Sequence, residues 1–283
     1  MNYAAAITLY NPEPGFINNL SGYTKSFPLV IVNDNSKDNS GYVDLIHELP
    51  NIVYLWDGKN WGLPAAFNRS LKICEEKKID YLCTLDQDSK LGEKAISFIE
   101  KYIESHDMSE TAIVAPKPIE IKGKANDNIG DDYKVVKWVI CSGAFINVKL
   151  LKDKGIEYDN AYFIDRFDAD LSWQIQRAGV KQIVLTNVEM PHACGDEYGH
   201  TPLRNYYIFR NRYYFNDKYY GKITSTLRTT LQNVRHCWNL LLRQKDSWKK
   251  IMMLPLARKD YKRCVMGEIP SDTLEKVQKI VNS

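Results

Sequence analysis

The sequence predicts an α/β fold: a mostly parallel, doubly wound sheet flanked by helices, followed by an amphipathic helical segment. Three observations predict it. Short β-type runs alternate with helix-like stretches over the first 100 residues, and Gly, Asn, Pro or Asp follows each run. Such alternation is typical of parallel sheets. A chain of 283 residues with 44% hydrophobic composition can also bury a large core.

The expected strands direct attention to the loops that follow them. Strands are predicted at residues 3–9, 29–32, 53–56 and 81–85. In open α/β sheets, ligands bind at the carboxyl ends of parallel strands. The candidate binding loops are therefore Tyr10 to Pro12, Asn33 to Ser36 and Asp86 to Ser89.

The later part of the chain is predicted to become helical. Residues 135–148 are strand-like, and in residues 163–179 a strand-like start gives way to a helix that ends at Gly179. A short helix is expected through residues 248–254, ending at Pro255. Before it, apolar residues in steps of three and four predict one face of a long helix, the apolar stripe: Tyr220, Ile223, Leu227, Leu231, Val234, Trp238 and Leu241.

The positive charge is concentrated in one segment. Residues 218–263 contain twelve Lys and Arg against two Asp, a net charge of +10, whereas the first 217 residues carry −6. Basic residues beside Trp238, Trp248 and the apolar stripe are typical of a helix in a membrane interface. The alternative is that the stripe packs on the rest of the chain or forms a homodimer. No nucleic-acid partner is expected, because the first 217 residues are net acidic and carry no such motif.

The cysteines and the apolar runs bear on location. The six cysteines are scattered with no CxxC pair, which favours reduced thiols in a cytoplasmic protein. No leader-like N-terminus is present, and no run approaches the roughly 18 apolar residues of a membrane span. We expect a cytoplasmic protein, peripheral on the inner face of the cell membrane.

A pair of carboxylates ends the strand at residues 81–85. Asp86 and Asp88 repel each other unless a cation or hydrogen-bond donors hold them. Oxygen ligands suit Mg²⁺ or Mn²⁺, which proteins commonly share with substrate phosphates. The pattern therefore favours a divalent cation and a nucleotide diphosphate. The alternative is a solvated turn, because Asp and Ser are ordinary turn residues.

Two further stretches favour a nucleotide ligand. The Asp34 carboxylate ends a strand in VNDNS, where it can accept the N3–H of a uracil or thymine, although an Asn/Asp turn is the alternative. In NWGLPAAFN, Asn60 and Gly62 precede a helix of small residues. This arrangement lets the backbone and the helix N-terminus approach a ligand closely.

An ordered series of motifs resembles a known family. The motifs TLYNP, VNDNS, NWGLPAAFN, LDQDS, CSGAF, FDADLSWQIQRAG and RNYYIFRNR are similar to those of family 2 glycosyltransferases with the glycosyltransferase-A fold, a Rossmann-like sheet flanked by helices. LDQDS and the late RNYY element look most like the bacterial rhamnosyltransferase branch. The resemblance covers residues 3–216. It implies a glycosyltransferase-A domain at 1–217, with a nucleotide-sugar half (1–100) and an acceptor half (101–217), before the basic segment 218–283.

The resemblance implies roles for the acidic residues. Asp34 contacts the base, Asp86 approaches the ribose and the metal, and Asp88 binds the metal. Asp168 matches the family's catalytic base, and Asp170 matches its neighbouring acidic position in substrate binding. A base is needed because an acceptor hydroxyl attacks poorly until a carboxylate accepts its proton.

The same resemblance extends to loop residues and to a histidine. The motifs that contain Tyr10 and Asn11, and Ser142 and Gly143, are expected to bind substrate. His192 matches a histidine in related sugar transferases and is the expected third metal ligand, with a surface or core role as the alternative.

The chain also has residues whose roles stay open. Arg204 and Arg210 are suited to a diphosphate, but packing of their tyrosine-rich helix on the core is the alternative. Asp165 either caps the structure or contacts acceptor. Gln174 stands where many members have Arg, so a charge that would hold the leaving group or the acceptor is missing.

The expected function follows from these assignments. We expect an inverting, Mn²⁺- or Mg²⁺-dependent glycosyltransferase that uses dTDP-L-rhamnose and a saccharide or lipid-linked acceptor in bacterial surface polysaccharide synthesis. A UDP-sugar donor, galactofuranosyl or hexosyl, is the first alternative. A non-catalytic module that binds a nucleotide sugar is the alternative of another class.

Overall fold

The computed structural model describes residues 1–120, 132–192, 200–243 and 247–283. These residues form two compact units. The first unit is Met1–Asp159 with Asp168–Cys194, and the second is Asn160–Phe167 with Gly195–Ser283. The boundary expected at residues 217/218 from the charge distribution therefore lies inside the second unit.

The first unit is built on one mixed sheet. Its strand order in the described ranges is β3-β2-β1-β4-β7-β5-β8-β6. Neighbours β1–β2, β2–β3, β1–β4 and β5–β8 are parallel, whereas β7 runs antiparallel to β4 and β5, and β6 to β8. The strands are β1 Tyr3–Leu9, β2 Val30–Asp34, β3 Ile52–Trp56, β4 Tyr81–Asp86, β5 Thr111–Glu120, β6 Tyr133–Val135, β7 Ala144–Asn147 and β8 Lys181–His192.

Helices accompany the sheet of the first unit. They are α1 Phe16–Ser26, α2 Val43–His47, α3 Gly62–Glu76, α4 Glu93–Ser105, α5 Val148–Lys154 and α6 Phe167–Arg177. Buried β1 and β4 contribute Ala5, Ile7 and Leu85 to a core that also contains Leu20 of α1 and Ile99 of α4. Central strands buried on both faces are expected to be continuously apolar, which is why these runs were predictable.

Two predicted strand stretches are broken. Residues 135–148 form only the end of β6 and the short β7, because Gly143 turns the chain at φ +75° between them. The expected strand-like start at 163–166 is wrong. Phe163, Asp165 and Arg166 all have positive φ after a 3-10 helix at Asn160–Tyr162, so this segment is a tight connection.

The second unit is helical. It contains α7 Pro202–Tyr219, α8 Lys222–Arg243, α9 Ser247–Ile251, α10 Met253–Lys262 and α11 Ser271–Asn282. Tyr206 and Phe209 of α7, Met253 and Ala257 of α10 and Val277 of α11 share its core. Across the described ranges, no helix is long and apolar enough to cross a membrane.

The predicted long helix is confirmed as α8, but Pro255 does not end a helix. It lies in the first turn of α10, which begins at Met253. Proline is tolerated there because the first backbone N–H groups of a helix have no intrahelical acceptor.

Candidate functional site

The loops after three parallel strands are joined to one another. Strands β2, β1 and β4 lie side by side, so the loops after them emerge at the same edge of the sheet. The Tyr10 backbone N–H donates to Gln87 Oε1 at 2.8 Å, and the Asn11 N–H donates to Ser36 Oγ at 2.7 Å. The structure thus brings Tyr10, Asn11 and the Asp86–Asp88 turn together.

The start of α3 is joined to the same edge. The Gly62 N–H donates to Asn60 Oδ1 at 2.9 Å, and Asn35 Nδ2 donates to the Gly62 carbonyl at 3.4 Å. Gly62 has φ +77°, a conformation that glycine adopts without strain. Asn60 and Gly62 therefore lie beside the loop after β2.

Asp34 is buried and heavily hydrogen-bonded. It is 2% exposed, its Oδ1 accepts the Ser36 N–H at 2.9 Å, and its Oδ2 accepts the hydroxyls of Tyr42 at 2.9 Å and Tyr54 at 2.6 Å. Burial, with the Asp34 contact adding to it, raises the pKa of Tyr42 to about 12. A carboxylate has about four acceptor positions, so one position remains for a ligand donor.

The two carboxylates after β4 lie in a tight turn. The Asp86 N–H donates to Ser89 Oγ at 2.8 Å, and the Ser89 N–H donates to the Asp86 carbonyl at 3.0 Å. The Asp86 side chain is half-buried and that of Asp88 is exposed. The turn therefore leaves Asp88 open to solvent.

The loop before β7 is attached to this turn. The hydroxyls of Ser89 and Ser142 are hydrogen-bonded, and the Gly143 N–H donates to the Thr84 carbonyl at 2.7 Å. Ser142 is therefore a buried partner of the carboxylate turn.

Gly143 is required by packing as well as by its backbone. A Cβ added there would lie 2.6 Å from Met190 Sδ and 3.1 Å from Pro116 Cγ, and its φ is +75°. A side chain at this position would collide with β8. The glycine thus has a structural reason that is independent of any ligand.

The acidic helix α6 begins beside a buried tyrosine. Burial raises the pKa of Tyr158 well above its usual value, and the nearby charges of Asp168 and Asp86 add to this effect. The charges of both carboxylates thus act on the same phenol. The Asn68 side chain fixes the Tyr158 backbone, donating to its carbonyl at 2.7 Å and accepting from its N–H at 3.0 Å.

Asp168 and Asp170 differ in environment. Asp168 is half-buried, and its Oδ1 accepts the Ala169 N–H. Asp170 is fully buried, and its Oδ2 accepts Gln174 Nε2 at 2.8 Å. Gln174, the departure from the family pattern, also donates to the Glu157 carbonyl at 2.9 Å. Here its amide serves the local structure of the first unit.

The two predicted arginines have structural partners within the second unit. Arg204 forms an ion pair with Asp165, Nη2 to Oδ1 at 2.9 Å, which favours the structural alternative for Asp165. Arg210 is fully buried, donates to the Gly267 carbonyl at 2.6 Å and lies over the rings of Tyr206 and Tyr207. This is the packing alternative, and it leaves the Arg210 guanidinium no open surface for a diphosphate.

No cluster of three or more His, Cys, Asp or Glu that could hold a metal occurs in the described ranges. His192 ends β8, and its side chain lies outside the described part of the structure. Two carboxylates still fit Mg²⁺ or Mn²⁺, because such ions are often held by one or two carboxylates with substrate phosphates and waters. The donor set of Asp86 and Asp88 is therefore compatible with a metal that arrives with a nucleotide.

Three residues of this site were not predicted from the sequence: Tyr42, Tyr54 and Tyr158. Ser89 belongs to a predicted loop, and the structure shows that it closes the turn of the carboxylates. The three tyrosines come from distant elements. Nothing in a single sequence marks which of its 18 tyrosines meet a given carboxylate.

Comparison with known proteins defines the class. Residues 15–132 match the family model Glycosyl transferase family 2. The dTDP-rhamnosyl transferase RfbF of Shigella flexneri is 22% identical over 291 residues, covering 94% of this chain and 97% of that protein. The chain is a glycosyltransferase. It is similar to family 2 glycosyltransferases over residues 15–132 and to a rhamnosyltransferase over most of its length.

Solved structures confirm the glycosyltransferase-A fold. TarS 1-349 of S. aureus in complex with UDP-GlcNAc is 14% identical with a TM-score of 0.55, covering 96% of this chain and 83% of that one. GalNAc-T7 with UDP, GalNAc and Mn²⁺ is 13% identical with a TM-score of 0.50, covering 68% and 43%. The chain matches 39% of the longer TarS chain. At these identities the likeness establishes the fold alone.

Proposed function

We propose that this glycosyltransferase moves a sugar from a nucleoside diphosphate to an acceptor hydroxyl in one displacement, with inversion. The observation that carries the proposal is the joining of the loops after β1, β2 and β4 by the Tyr10–Gln87 and Asn11–Ser36 hydrogen bonds. Carboxyl ends of parallel strands are where α/β folds bind nucleotides.

The base is proposed to be held by Asp34. Its remaining acceptor position accepts the N3–H that uracil and thymine share, while Tyr42 and Tyr54 fix the carboxylate from the other side. Exposed Tyr10 is available to contact the nucleotide. This arrangement predicts a preference for uridine or thymidine diphosphates over guanosine and cytidine diphosphates.

Asp86 and Asp88 are the proposed ligands of Mn²⁺ or Mg²⁺, and His192 is proposed to complete the set. When bound, such an ion neutralises the charge that develops on the departing diphosphate. The hydrogen bonds of Ser89 to both the N–H and the C=O of Asp86 stabilise the turn, so the backbone that carries the two carboxylates is fixed before any ligand binds.

Asp168 is the proposed general base. Its carboxylate accepts the proton of the acceptor hydroxyl as that oxygen attacks the anomeric carbon and the bond to the diphosphate breaks. The Tyr158 phenol stays protonated because its pKa is raised, so it can donate a hydrogen bond but is not the base. Asp170 is buried and accepts a hydrogen bond from Gln174, so its proposed role is to stabilise α6 and not to accept the proton.

The proposed donor is dTDP-L-rhamnose, and the support is the relative that matches 94% of the chain and carries dTDP-rhamnosyl transferase in its name. A UDP-sugar donor, galactofuranosyl or hexosyl, is the second candidate. The acceptor is proposed to be a saccharide or lipid-linked saccharide of a bacterial surface polysaccharide.

Calorimetry with dTDP, UDP, GDP and CDP, each with and without Mn²⁺, tests the site. We expect metal-dependent binding of dTDP ahead of UDP, lost in Asp88→Ala. Asp153→Ala is the matched control, because this exposed carboxylate on α5 forms a surface ion pair with its helix neighbour Lys149. If UDP binds more strongly than dTDP, the proposed donor changes from dTDP-L-rhamnose to a UDP-sugar. Metal-independent nucleotide binding in both variants would contradict the assignment of Asp88 as a metal ligand.

Turnover tests the base and the non-catalytic alternative. We expect Asp168→Asn to keep nucleotide affinity and to lower kcat by 10²–10⁴-fold, the usual range for a general base. Unchanged kcat with intact binding would exclude Asp168 as the base. Failure of the wild type to hydrolyse or transfer any nucleotide sugar that it binds would favour the binding module.

A further inference from the structure

Helix α8 packs with its polar side inward. Its buried residues are Ser225, Thr229, Asn233, His236 and Leu240. Its large apolar residues are exposed: Ile223 (87%), Leu227, Leu231 (60%), Val234, Trp238 (61%), Leu241 and Leu242. Within the described second unit, α8 therefore packs through its polar side and leaves the apolar stripe exposed.

The contacts of α8 with α7 explain this orientation. Asn216 Nδ2 donates to Thr229 Oγ1 at 2.8 Å, Arg212 Nη1 donates to Asn233 Oδ1 at 2.7 Å, and His236 Nε2 lies 2.9 Å from Asn205 Oδ1. Turning α8 to bury its apolar stripe would break these hydrogen bonds between buried groups, which is costly. The second unit is built to present the stripe outward.

Basic side chains flank the apolar stripe. Arg228 and Arg235 are exposed one turn to either side of Leu231 along α8. Arg258 and Lys262 of α10 line a groove of about 580 Å³ together with Thr226 and Trp238 of α8. The surface of α8 is therefore a row of apolar side chains bordered by cations.

The basic segment contains few acids of its own, although Arg263 forms ion pairs with Asp260 and Asp272. Asp260, one of two acids in residues 218–263, is fully buried and accepts the hydroxyls of Tyr206 at 2.9 Å and Thr273 at 2.7 Å. The other, Asp246, lies outside the described residues. A second copy of the chain would set one +10 segment against another, and like charges across an interface oppose association.

We propose that the apolar stripe of α8, with its flanking cations, docks on an anionic lipid bilayer. Its apolar side chains enter the boundary between headgroups and acyl chains, Trp238 lies at headgroup depth, and the arginines meet lipid phosphates. The reason for docking rests on the proposed function, since a lipid-linked acceptor would be presented at that surface. The docking itself does not depend on turnover.

Cosedimentation with vesicles tests the proposal. The full chain is mixed with phosphatidylcholine vesicles that contain either 30% phosphatidylglycerol or none, without donor or acceptor. We expect binding to the anionic vesicles, with at least a tenfold loss in Leu227→Gln/Leu231→Gln. The control is Leu45→Gln, which changes a comparably exposed leucine in α2 of the first unit and should bind as wild type does.

The contribution of charge is tested separately. Arg228→Gln/Arg235→Gln should weaken binding roughly 25-fold, about fivefold for each charge, and added salt should do the same. Lys94→Gln/Lys101→Gln on α4, which also removes two exposed cations, should change it little. Because all these side chains are exposed, the variants are expected to keep the wild-type circular dichroism spectrum.

Two results would overturn the proposal. One is equal sedimentation with neutral and anionic vesicles by wild type and the leucine variant. The other is a wild-type dimer in analytical ultracentrifugation that Leu227→Gln/Leu231→Gln converts to a monomer, since the stripe would then be a protein interface. Nucleotide calorimetry on the same samples is independent, so either proposal can fail while the other stands.

Discussion

Replacing Gly143 with alanine is expected to destabilise the first unit more than a positive φ alone would. A left-handed backbone costs a non-glycine residue about 1–2 kcal/mol. The new Cβ would also lie 2.6 Å from Met190 Sδ, in the core beneath β7 and β8. Overpacking of this kind costs about 1–3 kcal/mol, so the free energy of unfolding should fall by about 2–5 kcal/mol.

The chain supplies a matched control for this substitution. Gly155 also has a left-handed backbone, φ +62°, but a Cβ there meets nothing within 4 Å. Gly155→Ala should therefore cost only the backbone share, about 1 kcal/mol. Both glycines belong to the first unit, so urea unfolding followed by circular dichroism compares them in the same transition.

A double-mutant cycle isolates the contact with Met190. Shortening Met190 to alanine should remove most of the extra penalty of Gly143→Ala, giving a coupling energy of about 1–3 kcal/mol. If Gly143→Ala costs no more than Gly155→Ala, the close approach does not constrain this residue. The positive φ of Gly143 would then be the remaining structural reason for the glycine.

Three further predictions concern the described side chains. Tyr54→Phe removes a donor from buried Asp34 and should cost about 1.5–3 kcal/mol in urea unfolding, whereas Tyr10→Phe, at an exposed site, should cost little. Burial lowers the pKa of His236 to about 4, so the unfolded chain binds a proton on this histidine at a higher pH than the folded chain does. The contribution of His236 to the free energy of unfolding should therefore be constant above about pH 6.5 and fall by up to about 3 kcal/mol towards pH 4. Thermal melts as a function of pH should show a shallower slope for His236→Asn than for wild type. Maleimide should label exposed Cys264 of the native protein within minutes and leave buried Cys83 unlabelled, because burial raises the pKa of the Cys83 thiol. Mass spectrometry measures the labelling, and equal labelling of the two cysteines would contradict the burial of Cys83.

Local sequence predicted what local forces determine. The β1, β2 and β4 runs are apolar because both faces of these strands are buried, and the loops after them had to share an edge once the strands were parallel. Asp34 and Asp86 were placed correctly at that edge for this reason. The hydroxyls of Tyr42 and Tyr54 could not be assigned to Asp34, because that contact depends on how α2 and β3 pack, which no short pattern specifies.

The orientation of α8 shows a different limit. Its periodicity predicted the helix and the apolar stripe, but periodicity does not say which face packs inward. That choice is made by the Asn and Arg residues of α7, whose hydrogen bonds need the polar side of α8. The role of Arg210 stayed open at the sequence level for a related reason, since a guanidinium that suits a diphosphate also suits a backbone carbonyl such as that of Gly267.

The second unit is made of two separate segments of the chain, and this limits where the protein can be truncated. Asn211 donates to the carbonyls of Tyr162, Ile164 and Asp165, and the Gly267 N–H donates to the Ala161 carbonyl. A truncation after residue 217 would remove the acceptor of the buried Arg210 guanidinium and one donor to the 160–167 connection. An expression fragment of this length should aggregate, so the helices after residue 217 have to be retained even in assays where no membrane is present.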